Sequence, residues 1–167
     1  MSKLRKVILF AAVALVAGQS CGLGGKTREY TLDELIDMKS VQGKTRSLTG
    51  TFPYAICADF RVQWDSLAFI RPYAQAEAVQ DSIGYKLPAD VRKLINEQSY
   101  SDHHIVLLLF SGGELSGYTR LNASPLSFTE FPASKSVNWL SNRYCDRFTL
   151  RKELYKGTTT FHLGVKK

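Results

Sequence analysis

Between Leu48 and Trp64 the chain alternates with a two-residue period. Leu48, Gly50, Phe52, Tyr54, Ile56, Ala58, Phe60, Val62 and Trp64 hold every even position, while Ser47, Thr49, Thr51, Asp59, Arg61, Gln63 and Asp65 fall among the odd ones. Such alternation sends the two sets of side chains to opposite faces of a strand. The stretch is 17 residues long. At roughly 3.3 Å per residue it would run about 55 Å, well beyond a domain of this size, whose radius of gyration is about 15 Å. The pattern therefore predicts strand broken by a bend or bulge at Gly50 or Pro53, because glycine favours bulges and proline cannot donate to a ladder. Asp65-Ser66 reads as a turn that sends Leu67 to Ile70 back as the partner strand.

Helical spacing appears on either side of this stretch. Thr31 and Glu34 have capping-box spacing, Tyr30 and Leu35 have staple spacing, and Leu32, Leu35 and Ile36 share one helical face. Together they predict an amphipathic helix to Ser40, with Gly43 as its stop. Ala74 to Ile83 is rich in helix formers and ends before Gly84, and Pro88 suits the first turn of a helix bearing Val91, Leu94 and Ile95. These two helices are expected to cover one sheet face.

Ile105 to Phe110 is a continuous apolar run, as in a strand buried on both faces. Gly112-Gly113 is a hairpin turn and Leu115 to Leu121 the returning strand. After a connection containing Pro125 and Pro132, Phe148, Leu150 and Leu154 mark a strand, Lys156-Gly157 a turn, and Phe161, Leu163 and Val165 a last strand. The expected fold is α+β in a single domain, with a mainly antiparallel sheet of about five to seven strands and two or three short helices.

The start of the chain follows a different logic. Lys3, Arg5 and Lys6 precede an apolar run from Val7 to Val16 and the small-residue stretch Ala17-Gly18-Gln19-Ser20. Val7 to Gly18 is 12 residues, whereas a membrane-spanning helix needs about 20. A positive tip, a short apolar core and small residues before a cleavage point form the pattern of a secretory signal peptide. Ser20-Cys21 is similar to the lipobox of bacterial lipoproteins, with Gly18 standing where an aliphatic residue is usual. The resemblance covers residues 1–21 and implies cleavage before Cys21 and a diacylglyceryl anchor on that cysteine. Plain secretion, giving a soluble periplasmic or secreted protein, is the alternative. Gly22 stands where an acidic residue is associated with inner-membrane retention, so the resemblance favours the outer membrane. On this reading residues 1–20 are a signal peptide, 21–29 a glycine-rich flexible tether, and 30–167 the folded domain facing the periplasm.

An oxidising compartment turns the two remaining cysteines, Cys57 and Cys145, into an even pair. A bridge between them spans 88 residues and would stabilise the fold by at most about 4 to 5 kcal/mol in the loop-entropy treatment. Two separate buried thiols are the alternative.

Charge is unevenly distributed. From Lys135 onward there are eight Lys or Arg against two acids, whereas residues 21–134 carry eleven against thirteen. Arg143, Arg147, Arg151 and Lys152 alternate with Tyr144, Phe148 and Tyr155, and Trp139 lies just upstream. Arginine forks bind carboxylates and phosphates and stack on aromatic rings. This segment is the candidate surface for a partner: the acidic face of another envelope protein, an anionic lipid or cell-wall polymer, with nucleic acid disfavoured. A half-exposed strand would also place Arg147, Thr149, Arg151 and Glu153 outward.

Catalytic signals are weaker. Asp102-His103-His104 and His162 are the candidate metal or general-base groups. Neighbours on a strand point to opposite faces, so His103 and His104 would need a bend to share an ion. Ser111-Gly112-Gly113-Glu114 has neither the lysine and following helix of a phosphate loop nor the paired glycines of a nucleophile elbow. Asp59 and Asp65 would lie roughly 20 Å apart on an extended strand, too far for paired-carboxylate glycoside cleavage. No cofactor is expected. The sequence favours a non-catalytic, membrane-anchored envelope lipoprotein that binds or helps assemble another envelope protein, as an accessory subunit, inhibitor or immunity protein. An anion- or cell-wall-binding module is the alternative, followed by an envelope hydrolase. Mass spectrometry of the mature N-terminus tests the anchor: the expected species begins at a diacylglyceryl-modified Cys21, and an unmodified Cys21 or a start elsewhere contradicts it.

Overall fold

A computed structural model describes residues 27–98, 100, 104–122, 125–127, 137–155 and 157–165; Cys21 and His103 lie outside the described residues. The chain enters through a short strand, β1 (Arg28–Glu29), and Thr31 then caps helix α1 (Leu32–Leu35). The Glu34 N–H donates to the Thr31 hydroxyl at 3.3 Å while the Thr31 N–H donates to the Glu34 carboxylate at 2.9 Å, which closes the capping box. Helix does not continue unbroken to Ser40. Ile36 is extended and bridges to Phe60, and Asp37 accepts the Ser40 N–H to start α2 (Met38–Lys44). Asp37 is a strong N-cap, and the break lets Leu35, Ile36 and Val41 all reach the interior. Gly43 therefore sits inside α2 instead of ending it.

The alternating stretch yields only four residues of strand, β2 (Gly50–Pro53). Beyond Pro53 the chain turns through a 3₁₀ helix at Ile56–Asp59, so Ile56 and Trp64 enter the core from a bent segment. Asp59, assigned to the polar face by the alternation, is buried at 4% exposure. Strand β3 (Ser66–Ile70) follows, but it does not return along β2.

Helices α3 (Ala76–Ile83) and α4 (Ala89–Gln98) lead to β4 (His104–Ser111) and β5 (Glu114–Asn122). Gly112 and Gly113 make the turn between these strands with φ of 61° and 84°, the left-handed backbone a tight hairpin requires. Next come β6 (Leu126–Ser127), β7 (Val137–Ser141), a 3₁₀ segment at Asn142–Arg147, β8 (Phe148–Tyr155) and β9 (Thr158–Val165). The strands form two sheets, in the orders β1-β5-β4-β3-β7 and β2-β8-β9-β6. Every neighbouring pair is antiparallel except β1 with β5 and β6 with β9. The α+β class and mainly antiparallel pairing are as expected; the division into two sheets is additional.

Three layers result. Val106, Leu108 and Phe110 of β4 face Val79, Val91 and Ile95 of the two longer helices. Leu107 and Leu109 face the second sheet, through Phe148, Leu150, Phe161 and Leu163. Each such fully buried leucine contributes roughly 2 kcal/mol from removal of apolar surface from water. At the far edge of the first sheet, β1 can lie beside β5 because residue 117 is glycine. A Cβ there would come within 2.9 Å of the Arg28 carbonyl oxygen and would collide with the Tyr30 ring.

Candidate functional site

The C-terminal basic and aromatic residues do not form one patch. Lys152 donates from Nζ to the carbonyl oxygens of Thr45 and Arg46 at 3.3 Å each, tying β8 to the end of α2. Arg151 pairs with Glu153 at 3.1 Å on the outer face of the second sheet. His162 lies across from Arg151 on β9, with Nε2 3.1 Å from the Glu153 carboxylate. His104 begins β4 in the other sheet, opposite Asn122. Among the described residues, no three His, Cys, Asp or Glu side chains gather as a metal-binding group.

Arg147 and Trp139 do come together, with Tyr144, around one cleft beside β7, whereas Arg143 does not line it. The cleft, of about 420 Å³, is lined by Asn138, Trp139, Leu140 and Ser141 of β7, by Ser66 at the start of β3, and by Phe148 and Val165 of the second sheet. Successive strand residues point to opposite faces, so a cleft touching four consecutive residues of β7 borders the side of that strand which pairs with no other strand among the described residues. Trp139 is 45% exposed and rests against Phe110 with ring centroids 5.2 Å apart. Tyr144 is 51% exposed, and the Arg147 guanidinium lies over its ring at 4.6 Å. Both residues also line the cleft. Arg143 is exposed in the same 3₁₀ segment, its N–H donating to the Ser141 hydroxyl at 3.3 Å.

That segment is held from behind. Cys145 lies at disulfide distance from Cys57, with Cα atoms 5.7 Å apart, so the Asn142–Arg147 segment is joined to the 3₁₀ turn at Ile56–Asp59. Asp59 in turn fixes that turn to α2. Its Oδ1 accepts from Ser40 at 2.7 Å and from Lys44 at 2.6 Å, and its Oδ2 accepts from Tyr54 at 2.8 Å. Burial pushes the Asp59 carboxyl up, but the bonds from Lys44, Ser40 and Tyr54 outweigh it and hold the group below its ordinary value of 3.8. Burial and the Asp59 charge keep the Tyr54 phenol protonated, with its pKa well above the usual value. Asp65 has a separate structural task, accepting the Gly112 N–H at 2.6 Å beside the hairpin.

Two features of this region were not read from the sequence. The Asp59 network was disguised by its place on the polar side of an alternating pattern. Asn138 occupies the inward face of β7 with Leu140, opposite Phe69, and a polar residue there was its only signal. It is 8% exposed, and its Nδ2 has no hydrogen-bond partner among the described residues. No helix among the described residues is long and apolar enough to cross a membrane. No protein-family model matches the chain, nor does any curated protein or solved structure.

The Asp59 network makes a direct prediction. Asp59→Asn is expected to lower stability by about 2 kcal/mol at neutral pH, the scale of hydrogen bonds to a charged group. Because folding depresses the Asp59 pKa, its contribution is complete above the unfolded value of about 3.9 and is lost as pH falls through the folded value. Urea unfolding across this range should show wild type and variant converging in acid. A gap that stays constant to about pH 2 contradicts the assignment.

Proposed function

We propose that residues 30–167 form a non-catalytic binding domain, anchored through Cys21 to the outer membrane, that binds or helps assemble another protein of the bacterial envelope. The observation that carries this reading is the cleft along β7. It places two half-exposed aromatic rings and an arginine beside a strand edge that pairs with no other strand among the described residues. Aromatic residues and arginine are the side chains most enriched where proteins contact one another.

The anchor and the cleft are geometrically compatible. Five residues separate Cys21 from Thr27, a tether able to reach about 20 Å when extended. It would join the domain beside β1, whereas β7 is the opposite edge of the same sheet. Four strand spacings of about 4.8 Å put the two edges roughly 19 Å apart. A domain held near the membrane by its β1 side would present the cleft to the periplasm. The anion-binding alternative has less support, because Arg151 is turned toward Glu153 and Lys152 toward the Thr45 and Arg46 carbonyls just beyond α2.

Site-specific photo-cross-linking in intact cells tests the reading. A photoreactive residue at position 139 is expected to give a discrete adduct with an envelope protein, while one at Lys93, exposed on α4, gives none. The adduct at position 139 should persist in a Cys21→Ala chain that is still exported and fall at least tenfold with Arg147→Glu. No adduct at 139, or the same adduct from both positions, contradicts the proposal.

A further inference from the structure

Among the described residues the two sheets have four edges, and three of them are poor templates for another strand. There, β1 and β6 have two residues each. β2 has four and includes Pro53, which cannot donate to a ladder. β7 differs: Val137-Asn138-Trp139-Leu140-Ser141 is five residues long and contains no charge and no proline. Proteins usually blunt sheet edges with short strands, charges or prolines, because unpaired N–H and C=O groups recruit other strands. Among the described residues the blunting is present at three edges and missing at the fourth, which borders the cleft.

We infer, building on the binding role proposed above, that β7 is a strand-addition site for an extended acidic segment of the partner protein. Pairing with the outer edge of β7 would supply backbone hydrogen bonds, and the cleft would take alternate side chains of the added strand. Asn138 gives independent support. Its Nδ2 is a buried donor without a partner among the described residues, and Asn138 lines the cleft. A buried donor left unpaired costs on the order of 1–3 kcal/mol, and an acceptor on an incoming chain would remove that cost.

Charge selects the kind of segment. Arg143 and Arg147 stand just beyond β7 in the Asn142–Arg147 segment and have no carboxylate partner among the described residues, against one acid there, Asp146. Arginine forks match carboxylates in two-point contacts, and stacking on Tyr144 restrains the Arg147 guanidinium.

The test uses three labelled, end-blocked seven-residue peptides and the full chain in detergent micelles. One peptide alternates valine with glutamate, the second valine with lysine, and the third is the glutamate peptide with prolines replacing alternate valines. Fluorescence anisotropy should show saturable binding of the glutamate peptide, at least tenfold weaker binding of the lysine peptide, and none of the proline peptide. Binding should weaken with added salt, and amide exchange should slow at Val137–Ser141. The double variant Arg143→Glu, Arg147→Glu should reverse the preference toward the lysine peptide, which also shows that the variant is folded.

Equal binding of the two charged peptides, retention of the proline peptide, or protection away from β7 overturns the inference. So does a doubled mass by light scattering that depends on β7, which would make a second copy of this chain the occupant. If no peptide binds while position 139 still cross-links to an envelope protein, strand addition falls and the binding role stands. If the cross-link is absent as well, both fall.

Discussion

Val106, Leu108 and Phe110 face the helices while Leu107 and Leu109 face the second sheet, so β4 belongs to both cores at once. Neighbouring β3 is likewise buried on both faces, through Leu67 and Phe69 on one and Ala68 and Ile70 on the other. Burying a strand on both faces removes apolar surface from water on each side, and it dictates the rest. Helices must cover one side, and a second layer must cover the other. α3 and α4 supply the first; β8 and β9, joined by α1 and α2, supply the second. With β4 in the middle and β3 and β5 beside it, β1 and β7 are left as the outer strands.

The segment that follows β7 is tied to the rest of the fold by a relay that begins in α2. Ser40 and Lys44 hold the Asp59 carboxylate, Asp59 fixes the Ile56–Asp59 turn, and Cys57 carries the link to Cys145 within the segment bearing Arg143, Tyr144 and Arg147. A crosslink across 88 residues restrains the unfolded chain by at most about 4 to 5 kcal/mol. Its local effect is equally important: it keeps the aromatic and basic groups of a short 3₁₀ segment from drifting away from β7.

Patterns that arise from one repeated constraint were legible in the sequence. The apolar run at Ile105–Phe110 revealed a strand buried on both sides, Thr31 and Glu34 gave the capping box, and Gly112-Gly113 gave the hairpin. The alternation from Leu48 to Trp64 misled because a bent chain can also send every second side chain inward; Ile56 does so from a 3₁₀ helix. Pairing was harder still. Nothing local says that β3 lies between β4 and β7, since that choice depends on which strands share a core. The same reason hid the site. Trp139, Arg143 and Arg147 were readable as candidates, but their separation from Arg151 and Lys152 depends on strand faces and on contacts made by α2. Asn138 and Asp59 acquire meaning only from burial, and burial is a property of the whole fold.

On the proposed reading, the outer edge of β7 and the adjoining 3₁₀ segment form the surface that meets a partner. Hydrogen–deuterium exchange on the full chain in detergent, alone and in complex with the cross-linked partner, addresses it most directly. Slowed exchange across 137–147 with no change across 89–98 is the result the account predicts. Unchanged exchange across 137–147, with protection instead on the outer face of β8 and β9, would contradict it.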